Sequence, residues 1–259
     1  MNQRYRIGVD VGGTGAKAGI VDLLEGKIVS ERLRYDTPNE ADAIFATVAR
    51  LVQQLQQDER VNGAGVGVAF PSVIKSGHIM TAANIDPATL GRNVVAELSP
   101  SIGGNITVLN DADAAALAEI HYGVVRNNPA FAAAETVLVI TLGTGIGSGM
   151  VYRNELVPNF ELGHLELDGA VAESRAAASS IERDGLSWDA YAERLNRYLA
   201  HVHRLFFPDV FVLGGGVSRE AAAFLPLVQA PCPVAAAQLR ADAGIIGAAL
   251  HVRQDEKYH

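Results

Sequence analysis

Cysteine is almost absent: in 259 residues only Cys232 carries a thiol. A lone thiol cannot close a disulfide within the chain or build a cysteine-rich zinc site, so no zinc is expected. It sits in Pro231-Cys232-Pro233 with no evident base beside it, which argues for packing over nucleophilic chemistry. Long apolar runs are missing too. None approaches the roughly 20 residues of a membrane-spanning helix, so no membrane partner is expected. Positive charge is in the minority, with 21 Lys and Arg against 29 Asp and Glu for a net charge of −8. That balance argues against general nucleic-acid binding, but it says little about a small phosphorylated ligand, which senses only local charge. The opening residues, MNQRYRIGVD, lead directly into a strand without the pattern of a secretory signal or a DNA-binding segment. A cytoplasmic location is the expectation.

What is present is a repeated loop. Gly13-Thr14-Gly15 recurs 130 positions later as Gly143-Thr144-Gly145. The likeness extends outward over residues 9–21 and 139–151, with a shared glycine four residues on and a shared final valine. An offset of half the chain predicts a duplicated fold whose similar lobes flank a cleft, with a glycine-rich loop from each side able to hold phosphates. Hydrophobic residues at 49 % suffice for a sizeable core.

The elements follow from periodicity. Residues 6–11, 17–21, 65–70 and 106–109 read as strands in the first half, with a hairpin at Glu25-Gly26-Lys27. The spacing of Ile44, Phe45, Val48, Leu51, Val52 and Leu55 predicts an amphipathic helix over 43–55. The second half repeats the plan, with strands over 136–142, 148–152 and 209–213. A long helix is predicted there, with Trp188, Tyr191, Leu195, Tyr198, Val202 and Leu205 on one face. A last helix over 242–252 is expected to return to the first lobe. The class is α/β, with a strand, hairpin and helix plan in each half. A boundary is expected near 110, and 122–135 reads as a loop.

Four motifs can carry chemistry. In Asp10-Val11-Gly12-Gly13-Thr14-Gly15, glycines let backbone N–H groups approach phosphate oxygens, and the threonine hydroxyl adds a donor. Asp10 is a charge in an apolar strand and needs a partner, either bound Mg²⁺ or nearby backbone donors. This is neither a Walker A loop nor a Rossmann fingerprint, because the glycines lead into a strand. Lys17 on that strand either reaches a phosphate or is simply solvated. Asn110-Asp111-Ala112-Asp113 stands where a strand gives way to a helix; Asp111 is a candidate general base, all three polar residues are candidates for capping, and Asp113 is expected to be the cap or a first-turn helix acid. Glu161 and His164, bracketing a glycine, suit sugar hydroxyls that donate and accept, or are two surface residues. Gly214-Gly215-Gly216 after a strand can lie against a base or ribose, or form a turn with Ser218 as the next helix cap.

Taken in order, Asp10-x-Gly-Gly-Thr, Asn110-Asp111, Gly143-Thr144-Gly145-x-Gly, Glu161-x-Gly-His164 and Gly214-Gly215-Gly216 resemble the ROK sugar kinases of the actin, Hsp70 and sugar-kinase superfamily. The likeness is greatest to the polyphosphate-using members and spans about residues 5–250. It includes Thr81-Ala82-Ala83-Asn84, the run 110–119, Gly185-Leu186-Ser187-Trp188 and Phe207-Pro208-Asp209. The resemblance implies a two-lobed actin-like ATPase (ribonuclease H-like) fold, with lobes at 1–109 plus 245–259 and at 110–244. It implies phosphoryl transfer from polyphosphate to the 6-hydroxyl of glucose, ATP being left open as a second donor and mannose as a second acceptor, with Mg²⁺ and a homodimer. By motif, Asp111 is the base, and Asn84, Asn110, Glu161, His164 and Glu173 hold the sugar. Gly12, Gly13, Thr14, Gly15 and Lys17, with Gly143, Thr144 and Gly145, hold donor phosphates. Gly214, Gly215 and Gly216 border them, and Asp10 holds Mg²⁺ through water. Two other readings stand beside this one: a strictly ATP-dependent hexokinase of the family, and a sugar sensor on a retired kinase scaffold. Many ROK kinases carry a cysteine-rich zinc motif after the Glu-x-Gly-His segment, and residues 165–180 here hold no cysteine, as in the polyphosphate enzymes. Ser72 stands where the family usually has glycine, which bears on sugar preference. Lys17, Lys75, Arg92, Arg153, Arg175, Arg183, Arg194 and Arg197 are the cations from which a polyphosphate track is drawn.

Overall fold

The computed structural model describes residues 4–255. The chain folds as two compact units, one formed by the residues up to 118 with those from 242 onward, the other by 119–241. The resemblance implies seams at 109/110 and 244/245.

The first unit is built on a sheet of β1 (Tyr5–Val11), β2 (Ala16–Asp22), β3 (Lys27–Ile28), β4 (Leu33–Tyr35), β5 (Val66–Phe70) and β6 (Ile106–Asn110). Its order is β3-β2-β1-β5-β6, with β4 also paired to β2. The hairpin β1–β2 is antiparallel, whereas β5 and β6 run parallel to β1. Every residue of β5 is buried, as expected of a strand covered on both faces. One face is covered by α1 (Ala41–Leu55), which buries Ile44, Phe45, Val48, Leu51, Val52 and Leu55, and by α2 (Val94–Ile102). Three longer helices follow in the chain: α3 (Asp111–His121), α4 (Trp188–Phe206) and α5 (Ala243–Asp255). The last packs on β1 and β5 backbone to backbone. A Cβ at Gly8 would stand 2.0 Å from the Ile245 carbonyl oxygen, and one at Gly67 1.8 Å from that of Ala248. Only glycine permits this approach.

The second unit repeats the hairpin-then-parallel-strand plan. Its sheet is β7 (Thr136–Leu142), β8 (Ile146–Tyr152), β9 (Glu155–Val157), β10 (Val210–Gly214) and β11 (Val234–Ala236), in the order β9-β8-β7-β10-β11. Ser187 caps α4, its Oγ accepting from the Ala190 N–H at 3.3 Å. That helix buries Tyr191, Leu195, Tyr198 and Val202 in the core, and Trp188 stacks on Phe224. Leu205, expected on the same face, is 52 % exposed. It lies in the last turn, which ends at Phe207 in the left-handed region (φ 45°). The stretch 122–135 is not a plain loop: it contains the short helix Val124–Asn127 and the turn Pro129–Phe131.

The chain passes between the units after 118 and after 241, and both passages are tied just inside the second unit by one side chain. Glu119 is fully buried. Its Oε2 accepts from the Val124 N–H at 2.9 Å and the Gln238 N–H at 3.1 Å, and its Oε1 accepts from the Leu239 N–H at 2.7 Å. Three N–H groups satisfy a carboxylate that burial would otherwise penalise.

Candidate active site

The first loop closes a tight hairpin. Val11 pairs with Ala16, leaving Gly12 to Gly15 as the turn, with the Gly12 N–H donating to the Gly15 carbonyl at 3.1 Å. Thr37 steadies it by donating its hydroxyl to the Gly12 carbonyl at 2.6 Å. Gly13 lies against the Asn84 backbone: a Cβ there would be 3.1 Å from the Asn84 carbonyl oxygen. The 81–84 segment and the loop are therefore neighbours, and Asn84 keeps an exposed side chain. Asp10 faces Lys17 across the hairpin, with Nζ 3.4 Å from Oδ2. Burial pushes the Asp10 carboxyl above the usual carboxylate range, against the pull of Lys17. The first turn of α5 closes over it, since a Cβ on Gly244 would be 2.7 Å from the Asp10 Cγ.

The second loop is not a copy of the first in register. Leu142 pairs with Ile146, so only three residues, Gly143 to Gly145, make the turn, and the Gly143 N–H donates to the Gly145 carbonyl at 3.0 Å. Asp10 thus opposes Lys17, while the equivalent Ile140 opposes Ser148. The loop is braced by residues with no conspicuous sequence signal. Ser179 donates its hydroxyl to the Thr144 carbonyl at 2.7 Å and its N–H to the Gly143 carbonyl at 3.0 Å.

Asn110 ends β6 and caps α3. Its Oδ1 accepts from the N–H groups of Ala112 at 2.8 Å and Asp113 at 3.1 Å, and its amide donates to the Ser72 carbonyl at 3.1 Å. Of the two roles expected of Asp113, cap or first-turn acid, the cap belongs to Asn110, because its Oδ1 at the strand end reaches both first-turn donors. Asp113 is instead a buried acid of the first turn. Asp111 is half-buried, and its Oδ1 accepts from the Ala112 N–H at 2.8 Å. Ser72 is buried with its hydroxyl turned inward, donating to the Thr81 carbonyl at 2.8 Å. It cross-links the segments that carry Asn84 and Asn110.

In the second unit three sugar candidates come together. His164 Nδ1 is 3.7 Å from Glu161 Oε2, and its Nε2 is 3.7 Å from Glu173 Oε1. The Glu161 carboxyl is raised by burial and by Glu173, with His164 pulling it down. Ser148 fixes the stretch, donating to the Phe160 carbonyl at 2.7 Å and accepting from the Leu162 N–H at 2.9 Å. Glu173 also reaches the end of the second glycine loop, where its Oε2 accepts from the Ile146 N–H at 3.1 Å. Gly215, with φ 80°, lies against Leu142; a Cβ would be 2.4 Å from the Leu142 carbonyl oxygen, so the Gly214–Gly216 run borders the second loop. Ser218 lies inside the following 3-10 turn and donates its hydroxyl to the Gly215 carbonyl at 2.8 Å, so it does not act as a cap.

Most of the expected cation track is already paired. Arg92 meets Asp42 and Glu97, Arg153 meets Glu135, Arg183 and Arg194 share Asp184, and Arg197 meets Asp168. Among the described residues no cluster of three or more His, Cys, Asp or Glu could cage a metal ion, and no helix is long and apolar enough to cross a membrane.

The fold of the chain superposes on those of solved sugar kinases. The inorganic polyphosphate/ATP-glucomannokinase of Arthrobacter sp. strain KM superposes with a TM-score of 0.88 at 45 % identity, covering 97 % of this chain and 99 % of its own. A ROK family glucokinase from Streptomyces griseus, solved with glucose and AMPPNP, gives a TM-score of 0.82 at 26 % identity over 96 % and 99 %. The fold is accordingly the two-lobed actin-like ATPase fold of the sugar kinases. A polyphosphate glucokinase of Mycobacterium tuberculosis is 41 % identical over 253 residues, 96 % of this chain and 91 % of that one. Residues 6–178 match the ROK family, and the chain belongs to it.

Proposed function

We propose that the protein is a polyphosphate-dependent glucokinase, transferring a phosphoryl group from inorganic polyphosphate to the 6-hydroxyl of glucose. The observation that carries this reading is the 45 % identity to the Arthrobacter polyphosphate/ATP-glucomannokinase over 97 % of the chain. That enzyme's name also supports ATP as a second donor and mannose as a second acceptor. In this reading Asn84, Glu161, His164 and Glu173 hold sugar hydroxyls. Asn110 adds only its remaining amide hydrogen, since its Oδ1 is committed to the cap. Asp111 accepts the proton of the attacking hydroxyl. The loops at 12–15 and 143–145 hold the donor by backbone N–H groups, and Gly214 to Gly216 flank it. Positioning and electrostatics supply most of the acceleration in such transfers.

The carboxylate of Asp10 fits Mg²⁺ that arrives with phosphates and keeps its waters, because a lone acid beside a phosphate loop suits that ion better than an all-protein cage. When bound, the ion would neutralise charge on the donor oxygens. A homodimer and a cytoplasmic location belong to the same reading.

The test is a glucose 6-phosphate assay with purified polyphosphate or with ATP, each with Mg²⁺. Turnover with polyphosphate free of nucleotide is expected. Turnover with ATP alone would make the protein a strictly ATP-dependent hexokinase, and none with either donor would leave a sugar sensor. Repeating the assay with mannose reads the acceptor range.

Gly145→Ala probes the shared role of Glu173. Its new Cβ would stand 2.5 Å from Glu173 Oε2 and push the carboxylate off the Ile146 N–H. Since only the end of a flexible side chain must move, the expected outcome is a small change in Tm. The glucose KM should rise roughly fivefold, about 1 kcal/mol of lost sugar binding. An unchanged glucose KM would detach Glu173 from the sugar.

A further inference from the structure

The donor of the proposed reaction is a polyanion and the chain carries a net charge of −8, so its phosphates must meet local cations. Beside the first phosphate loop the sheet sets three residues in one row: Asp10 on β1 pairs with Lys17 on β2, and Lys17 pairs with Arg34 on β4. Directly paired residues project to the same face, so the row reads acid, lysine, arginine. The lysine charge is partly taken by Asp10 at 3.4 Å. The arginine charge is not. Its one ion-pair contact among the described residues is with Asp36 at 3.9 Å, where the Arg34 side chain is 59 % exposed and that of Asp36 95 % exposed. A pair so wet and so long is worth little.

The position of the guanidinium is as telling as its charge. A Cβ on Gly15 would lie 2.9 Å from the Arg34 Nε and 3.2 Å from its Nη2. The guanidinium therefore rests directly on the last glycine of the loop. Its neighbours in β4, Leu33 and Tyr35, pack on the core instead, as strand alternation requires. Tyr35 is further held by Arg50 over its ring at 4.6 Å and by Gln54 at its hydroxyl. The strand is thus anchored on one face and presents Arg34 on the other.

We propose that Arg34 is a donor-binding residue, gripping the phosphate chain beside the Gly12 to Gly15 loop with its planar guanidinium. The assignment rests on that loop holding the donor. A guanidinium matches two phosphate oxygens at once, which an ammonium does not.

The test is Arg34→Gln, with Arg34→Lys as the conservative variant, assayed with polyphosphate, with ATP and at several salt concentrations. Tripolyphosphate binding to the sugar-free protein is measured by calorimetry in parallel. The donor KM is expected to rise roughly tenfold in Arg34→Gln, the size of one charge-assisted contact in a half-exposed place, with less effect in Arg34→Lys. Glucose KM and Tm should stay unchanged, and donor KM should become less sensitive to salt. Unchanged donor KM and tripolyphosphate affinity would overturn the assignment, as would an equal rise in glucose KM with a lowered Tm, which marks a structural role. Turnover by the unaltered protein with polyphosphate tests the parent reading separately.

Discussion

Asp111→Asn is expected to lower kcat by about 10²–10⁴-fold, the usual range for a lost general base, while glucose affinity changes little. The substitution is chosen for what it keeps. Asp111 Oδ1 accepts the Ala112 N–H, and an asparagine oxygen can accept it equally well. The cap itself is made by Asn110, so the start of α3 does not depend on the carboxylate of Asp111. What disappears is the ability to take a proton. The measurement is steady-state kinetics with glucose and polyphosphate, beside a direct titration with glucose alone. Near-normal turnover would reduce Asp111 to a helix-start residue and send the search for the base elsewhere.

The second large effect is on stability. Glu119→Ala would leave the N–H groups of Val124, Gln238 and Leu239 without their acceptor in a buried place. At about 1–3 kcal/mol for each stranded donor, and allowing for partial relaxation, the loss should be about 3–5 kcal/mol. For a chain of this size that corresponds to a fall in Tm of roughly 10 °C. Glu119→Gln should lie between the two, because one amide oxygen can serve only one side of the cluster. A Tm within about 2 °C of the parent for Glu119→Ala would mean that water replaces the carboxylate and that the site is less dry than its geometry indicates.

Much of the fold was legible because it was written in local periods. The buried stripe of α1 follows from the spacing of its six large apolar residues, and the hairpins follow from glycine between strand-like runs. Family membership was legible for a related reason: chemistry-bearing motifs keep their order along a chain. The remainder depended on pairings that no local window contains. Glu119 looks like one more acid on an alanine-rich helix until residues 238 and 239 return beside it. Arg34 looks like a solvated strand residue until β4 is laid against β2. Asn110 and Asp113 compete as caps on paper, and the choice is made by the point at which β6 stops and by which oxygen meets the first two amides.

The four-residue turn of the first hairpin and the three-residue turn of the second bear on engineering. Because strand side chains alternate with period two, a one-residue slip sends each side chain of the return strand to the opposite face. Grafting residues 10–15 in place of 140–145 would therefore carry over the glycines and turn Gly147, Ser148 and Gly149 inside out, stripping Phe160 and Leu162 of the Ser148 hydroxyl. The two halves share a plan but are not interchangeable cassettes. A chimera that exchanges the two glycine loops must move each turn together with its whole return strand.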